Sequence, residues 1–89
     1  MSNSSVMTTY NRIDIAFEKG QGAWLFDTDG NKYLDLLSGI AVCGLGHSHP
    51  AVTEAIQAQA GQLIHTSNLY HVPLQSALAS RLTDIAGMD

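Results

Sequence analysis

Hydrophobic and polar positions change rhythm twice along this chain. In "AWLFDTDGNKYLDL", residues 23–36, two short aromatic and aliphatic runs flank Asp29-Gly30. Aspartate and glycine tolerate the positive φ of a tight turn, so residues 23–27 and 32–36 are expected to pair as a hairpin. From Pro50 to His65 the period lengthens, with Val52, Ile56, Ala60 and Leu63 at helical spacing. Pro50 suits a first helical position and Glu54 is expected to complement the positive end of the dipole. Leu74, Leu78, Leu82 and Ile85 make a second helical stripe over residues 73–86, opened by Pro73. Arg81 lies toward that helix's negative end and Gly87 is available as its C-terminal cap.

The remaining stretches lack a period. Residues 1–9, "MSNSSVMTT", are small and polar and read as a flexible tail that orders only against another surface. Residues 38–52, "SGIAVCGLGHSHPAV", hold three glycines, one cysteine and two histidines. The expected order is tail, hairpin, glycine-rich loop, helix, connector, helix, an α+β arrangement without internal repeats or a linker.

Composition narrows what such a chain can do. Its 89 residues are 45% hydrophobic and only 13% charged, against roughly 25% charged in soluble domains, so part of its surface is expected to be covered. A net charge of −4, with Arg12, Lys19, Lys32 and Arg81 as the permanent cations, cannot build the basic stripe that grips a phosphate backbone; nucleic acid is not an expected partner. No apolar run is long enough to span a membrane. Cys43 is the single cysteine, so no internal disulfide can form, and with no charged segment followed by an apolar one at the start the expected location is cytoplasmic.

The candidate chemistries in residues 38–52 are each incomplete. Cys43, His47 and His49 are ligand types that suit zinc, but a closed site wants four, and His65 or His71 could add one only through the tertiary fold. No metal site is assigned. A dinucleotide fingerprint opening at Gly44-Leu45-Gly46 needs glycine where His49 stands, and Gly20-Gln21-Gly22 fails likewise. A cysteine nucleophile has histidines nearby in sequence but no oxyanion-loop signature. The scaffold reading is simpler: Gly44 and Gly46 let the chain turn sharply into the helix at Pro50, and His47 is expected to bond a backbone group.

Taken in order, "EKGQGAWLFDTDGNKYLDLLSGIAVCGLGHSHPAV" and "QLIHTSNLYHVPLQSALASRL" closely resemble the N-terminal segment of the class III pyridoxal-phosphate aminotransferases. The resemblance runs from about Tyr10 to the end. It rests on an ordered series: G-x-G before the hairpin, D-x-D-G, "YLD", "SGIAV", "LGHSHP" and "HTSNLY". It implies a fold type I transferase, a homodimer whose large α/β domain binds pyridoxal 5'-phosphate and whose small domain is built from both chain ends. This chain would supply part of the small domain and the link to the large one. The implied reaction moves the δ-amino group of N2-acetylornithine, through the cofactor, to 2-oxoglutarate in arginine biosynthesis. Succinylornithine, ornithine and 4-aminobutyrate are the alternative amines, and ornithine-specific members tend to carry tyrosine where this chain has Ile40. A non-catalytic docking module derived from such an enzyme is a further alternative.

The resemblance also assigns residues. Tyr10 is placed near the substrate's distal end, with Ile40 and Val42 as substrate-binding wall. Gly39, Ala41, Asn68 and Tyr70 fall in the active-site or dimer-contact region. The family's phosphate loop, pyridine-binding aspartate and Schiff-base lysine have no counterpart here. Lys19 and Lys32 flank the hairpin and are expected to be solvated, whereas a Schiff-base lysine needs a desolvated pocket. No catalytic residue is therefore assigned, and the chain by itself is expected to be inactive.

Overall fold

The computed structural model describes residues 5–88. The elements, in order, are β1 (Phe17–Gln21), β2 (Trp24–Asp27), β3 (Lys32–Leu34), α1 (Ser38–Ala41), α2 (Pro50–Ala60) and α3 (Pro73–Ala86). This α+β chain forms two units, one up to Glu54 and one from Ala55 onward.

The first unit is organised by a three-stranded antiparallel sheet of order β1-β2-β3. Trp24 opposes Leu34 and Phe26 opposes Lys32, so alternation puts these four on one face and Leu25, Asp27 and Tyr33 on the other. Lys32 lays its ammonium 4.1 Å from the Trp24 ring centroid and Lys19 lies 5.6 Å from that of Phe26. On the opposite face Phe17 meets Tyr33 edge to face at 5.4 Å. β1 has no alternating apolar signature, since Glu18, Lys19, Gly20 and Gln21 are small or polar. Its extended form comes from pairing with β2, with a register shift between Phe17 and Lys19. That strand was not expected from the sequence.

Asp27 fixes the hairpin. Its carboxylate accepts the N–H groups of Asp29 (2.9 Å) and Asn31 (2.8 Å), the Asn31 side-chain amide (3.0 Å) and the Tyr33 hydroxyl (3.1 Å). Gly30 takes the positive φ of 84° within the turn, which a side chain would oppose. Asp27 is the one buried polar residue among the described residues, at 7% exposure. Its four donors hold the carboxyl below the ordinary value of 3.8, chiefly through the Asn31 amide.

α2 begins at Pro50 but ends at Ala60, short of His65. Leu63 and Gln62 both direct their N–H groups to the Gln59 carbonyl, at 3.0 Å, and Gly61 turns the chain aside. Glu54 falls outside the first turn of α2 and Arg81 outside the last turn of α3, so neither expected dipole interaction is made. In the second unit α3 ends where Gly87 adopts a left-handed φ of 67°, its N–H donating to Asp84 while Met88 N–H donates to the Thr83 carbonyl. Of the expected flexible tail, residues 5–9 are exposed and irregular and residues 1–4 lie outside the described residues.

No hydrophobic side chain among the described residues is buried. The α3 stripe is the plainest case, with Leu74, Leu78, Leu82 and Ile85 between 56% and 75% exposed. Apolar patches on this scale mark surfaces that pack against something else, in line with the low charge of the sequence.

Candidate functional site

Four consecutive residues, Ser38 to Ala41, have positive φ (56°, 66°, 64° and 62°). Such a left-handed turn costs L-residues roughly 1–2 kcal/mol each, and Ser38, Ile40 and Ala41 have no glycine exemption. Strain of this kind persists only where the surroundings over-determine it, and it clusters at functional sites. The turn is closed locally by Ile40 and Ala41 N–H groups on the Leu37 carbonyl (3.0 and 3.1 Å) and by Val42 and Cys43 N–H groups on Ser38 (2.8 and 2.9 Å).

Asp35 provides the outside restraint. It continues β3 by donating its N–H to Ala23 (2.8 Å). Its Oδ1 accepts the N–H groups of Leu37 (2.9 Å) and Ser38 (3.0 Å), while Oδ2 meets Nε2 of His47 at 2.5 Å. An ionised carboxylate can only accept, so this contact places the proton on Nε2. The Ser38 N–H is the largest influence on the Asp35 carboxyl, followed by His47 and the Leu37 N–H; together they hold it below its ordinary 3.8.

His47 is itself immobilised. Its N–H donates to Gly22 (2.8 Å) and its carbonyl accepts from Gly22 (3.0 Å), a two-way backbone bridge. The neighbouring Ser48 hydroxyl donates to the Gly20 carbonyl at 2.9 Å. A Cβ on Gly46 would come within 3.0 Å of the Gly22 backbone, so the loop approaches the sheet this closely only because residue 46 lacks a side chain. The expectation that the His47 side chain bonds a backbone group is thus corrected: its backbone makes the backbone bonds, and its ring serves Asp35. Asp35, Ser38, Cys43 and His47 border an open cavity of about 300 Å³.

The assigned residues distribute as follows. Gly39, Ile40, Ala41 and Val42 come together on the strained turn, with Ile40 79% and Val42 76% exposed. Tyr10 lies in the irregular segment before β1, exposed, with the Arg12 guanidinium 5.6 Å from its ring centroid. Asn68 and Tyr70 belong to the second unit, in the connector between α2 and α3. There Ser67 has a positive φ of 71°, and the buried Thr66 hydroxyl finds no hydrogen-bond partner. Thr66 and Asn68 line an open cavity of about 290 Å³ with Leu63 and Gln75; Tyr70, which is exposed, is not part of its lining.

Asp35 escaped the sequence reading. The local half of its role has a signal, because aspartate followed by free N–H groups two and three residues on is a common turn device. Its contact with His47, twelve residues away, has none.

Neither metal nor cofactor chemistry is built from these side chains. Among the described residues no group of three or more His, Cys, Asp or Glu could hold a metal ion. Nε2 of His47 is committed to Asp35 and Nδ1 of His49 accepts the Ala51 N–H at 3.2 Å. Lys19 and Lys32 are exposed and spread over aromatic rings rather than desolvated in a pocket, which does not fit a Schiff base with pyridoxal phosphate.

The chain belongs to the class-III aminotransferase family, whose model matches residues 5–89. It is 55% identical over 86 residues to the acetylornithine aminotransferase of Nitrosomonas europaea, covering 97% of this chain and 22% of that relative. The crystal structure of N-acetylornithine aminotransferase from Stenotrophomonas maltophilia K279a matches with a TM-score of 0.78 and 44% identity, over 84% of this chain and 20% of that one. The taurine:2-oxoglutarate aminotransferase of Bifidobacterium kashiwanohense, solved in complex with PLP and glutamate, matches with a TM-score of 0.82 and 29% identity, over 92% of this chain and 19% of that one. The chain thus spans about a fifth of the length of the relatives it matches.

Proposed function

We propose that these residues form part of an acetylornithine aminotransferase, in which the turn at residues 38–42 is a wall of the amine-binding site. The complete enzyme would transfer the δ-amino group of N2-acetylornithine to 2-oxoglutarate with pyridoxal phosphate, which when bound supplies the electron sink for the reaction. In this reading the cofactor is held by parts of the enzyme other than these residues. The contribution of this chain is to bind and orient: Ile40 and Val42 offer exposed apolar surface on a backbone that cannot relax, and Tyr10 reaches toward the far end of the amine.

The observation that carries the reading is the 55% identity to an acetylornithine aminotransferase across 97% of the chain. The exposed apolar faces of α2 and α3 support it, because apolar surface of this extent suits packing against the rest of a larger enzyme, in this reading a homodimer. No helix among the described residues is long and apolar enough to cross a membrane, which agrees with a cytoplasmic enzyme of amino-acid biosynthesis.

The test is glutamate formation by the complete protein with pyridoxal phosphate and 2-oxoglutarate, using N2-acetylornithine, succinylornithine, ornithine and 4-aminobutyrate in turn. The highest kcat/KM is expected with N2-acetylornithine. A preference for another of the four would move the assignment within the family, and no turnover with any would favour a non-catalytic docking role.

A further inference from the structure

We propose that Asp35 is a positioning residue for amine selectivity: with His47 as its brace, it holds the left-handed turn 38–41 and thereby sets where Ile40 and Val42 present their side chains. The inference rests on the reading of residues 38–42 as an amine-site wall, and adds to it two residues that act on that wall through the backbone of the turn.

The geometry makes Asp35 the junction of three segments. Through its own N–H it belongs to the sheet, through Oδ1 it holds the entrance of the turn at Leu37 and Ser38, and through Oδ2 it grips His47. The far end of that grip cannot drift, because His47 is bridged in both directions to Gly22 and its Cβ lies over Gly20 where no other side chain fits. Ser48, bonded to the Gly20 carbonyl, adds a further restraint on the same loop. Three non-glycine residues at positive φ would relax if released. Among the described residues, the only hydrogen bonds between residues 37–42 and a side chain are the two that the Leu37 and Ser38 N–H groups donate to Asp35 Oδ1. The same bonds hold the carboxyl below its ordinary 3.8, so it is ionised and the restraint is present at neutral pH.

Selectivity between amines of one length but different α-nitrogen substituents depends on sub-ångström placement of the wall that meets them. A brace tied to that wall by hydrogen bonds to the turn therefore acts on discrimination rather than on chemistry.

The experiment uses the complete enzyme loaded with pyridoxal phosphate, and reads the ratio of kcat/KM for N2-acetylornithine to that for ornithine in wild type, Asp35→Ala, Asp35→Asn, His47→Ala and His47→Gln. Asp35→Ala should lower the ratio by about tenfold, mainly through KM for N2-acetylornithine. His47→Ala should move it the same way by less. Asp35→Asn, which keeps an oxygen for the Leu37 and Ser38 N–H groups, and His47→Gln, which keeps a donor for Asp35, should restore much of it. A merely structural role would lower the active fraction and melting temperature and leave the ratio alone. If Asp35→Ala does not fold, His47→Ala decides: an unchanged ratio in that variant overturns the proposal. Wild type inactive toward every amine would overturn the functional reading and this proposal with it, whereas an active wild type with unchanged ratios in the variants overturns this proposal alone.

Discussion

His47 lies so close over Gly20 that a Cβ at residue 20 would stand 2.7 Å from the His47 Cβ and 2.8 Å from its Cγ. The obstruction is the root of a side chain, pinned at its tip by Asp35 and along its backbone by Gly22, so it cannot swing away. Gly20→Ala is therefore expected to destabilise the complete protein by about 1–3 kcal/mol, as overpacking does. Thermal unfolding checks this, and a melting temperature equal to wild type would show that the loop yields freely.

A second glycine separates conformational cost from steric cost. Gly87 ends α3 at a φ of 67° with open space around its Cα. Gly87→Ala should cost about 1 kcal/mol from the left-handed backbone alone, and Gly87→Asn less, since asparagine tolerates that region. Denaturant unfolding of both variants ranks them; equal losses for the two would contradict the argument.

Acid should probe the two aspartates. Both Asp27 and Asp35 have folded-state values below the ordinary 3.8. A depressed carboxyl contributes stability that is present above its unfolded value and lost as the pH falls through its folded one. Stability of the complete protein should then fall on acidification below about pH 4, and Asp27→Asn should flatten that limb. A pH titration of the unfolding midpoint checks this, and an acid limb identical in the variant would remove Asp27 from the account.

At the alkaline end the Tyr33 hydroxyl, which donates to Asp27, is raised above its ordinary 10.0, chiefly by that hydrogen bond. Its contribution is present below that value and lost as the pH rises through the folded one. In Tyr33→Phe the corresponding loss at high pH should disappear, as read by the same titration; an unaltered alkaline limb would contradict it.

The 89 residues produced alone should not behave as a folded domain. No apolar side chain among the described residues is buried, and ordering a backbone costs about 1–2 kcal/mol per residue that burial must offset. The chain by itself is expected to bind a hydrophobic dye and to lack a cooperative melting transition. A sharp transition without dye binding would contradict this.

Much of the fold was legible in the sequence because its signals are local. Asp29-Gly30 between two apolar runs marks the hairpin, and the prolines at 50 and 73 mark where two helices begin. What was hidden depends on pairing at a distance. β1 is extended because β2 lies beside it, although its own residues carry no alternation. The helix end at Ala60 reflects Gly61 and the Gln59 carbonyl rather than the apolar period, which continues to Leu63. The left-handed turn was invisible for a sharper reason: serine, isoleucine and alanine have no preference for positive φ, and only Asp35 and the loop behind it account for it.

The claim that the turn at 38–42 is the amine-site wall is tested most directly at Ile40, which points its exposed side chain from the strained backbone without a protein hydrogen bond to replace. In the complete enzyme, Ile40→Tyr adds a ring and a hydroxyl at that wall, and the kcat/KM for N2-acetylornithine relative to ornithine is the quantity to measure. A fall of about tenfold or more in that ratio is expected, with the melting temperature preserved. An enzyme that prefers N2-acetylornithine as strongly with tyrosine at residue 40 as with isoleucine would show that the turn does not face the amine.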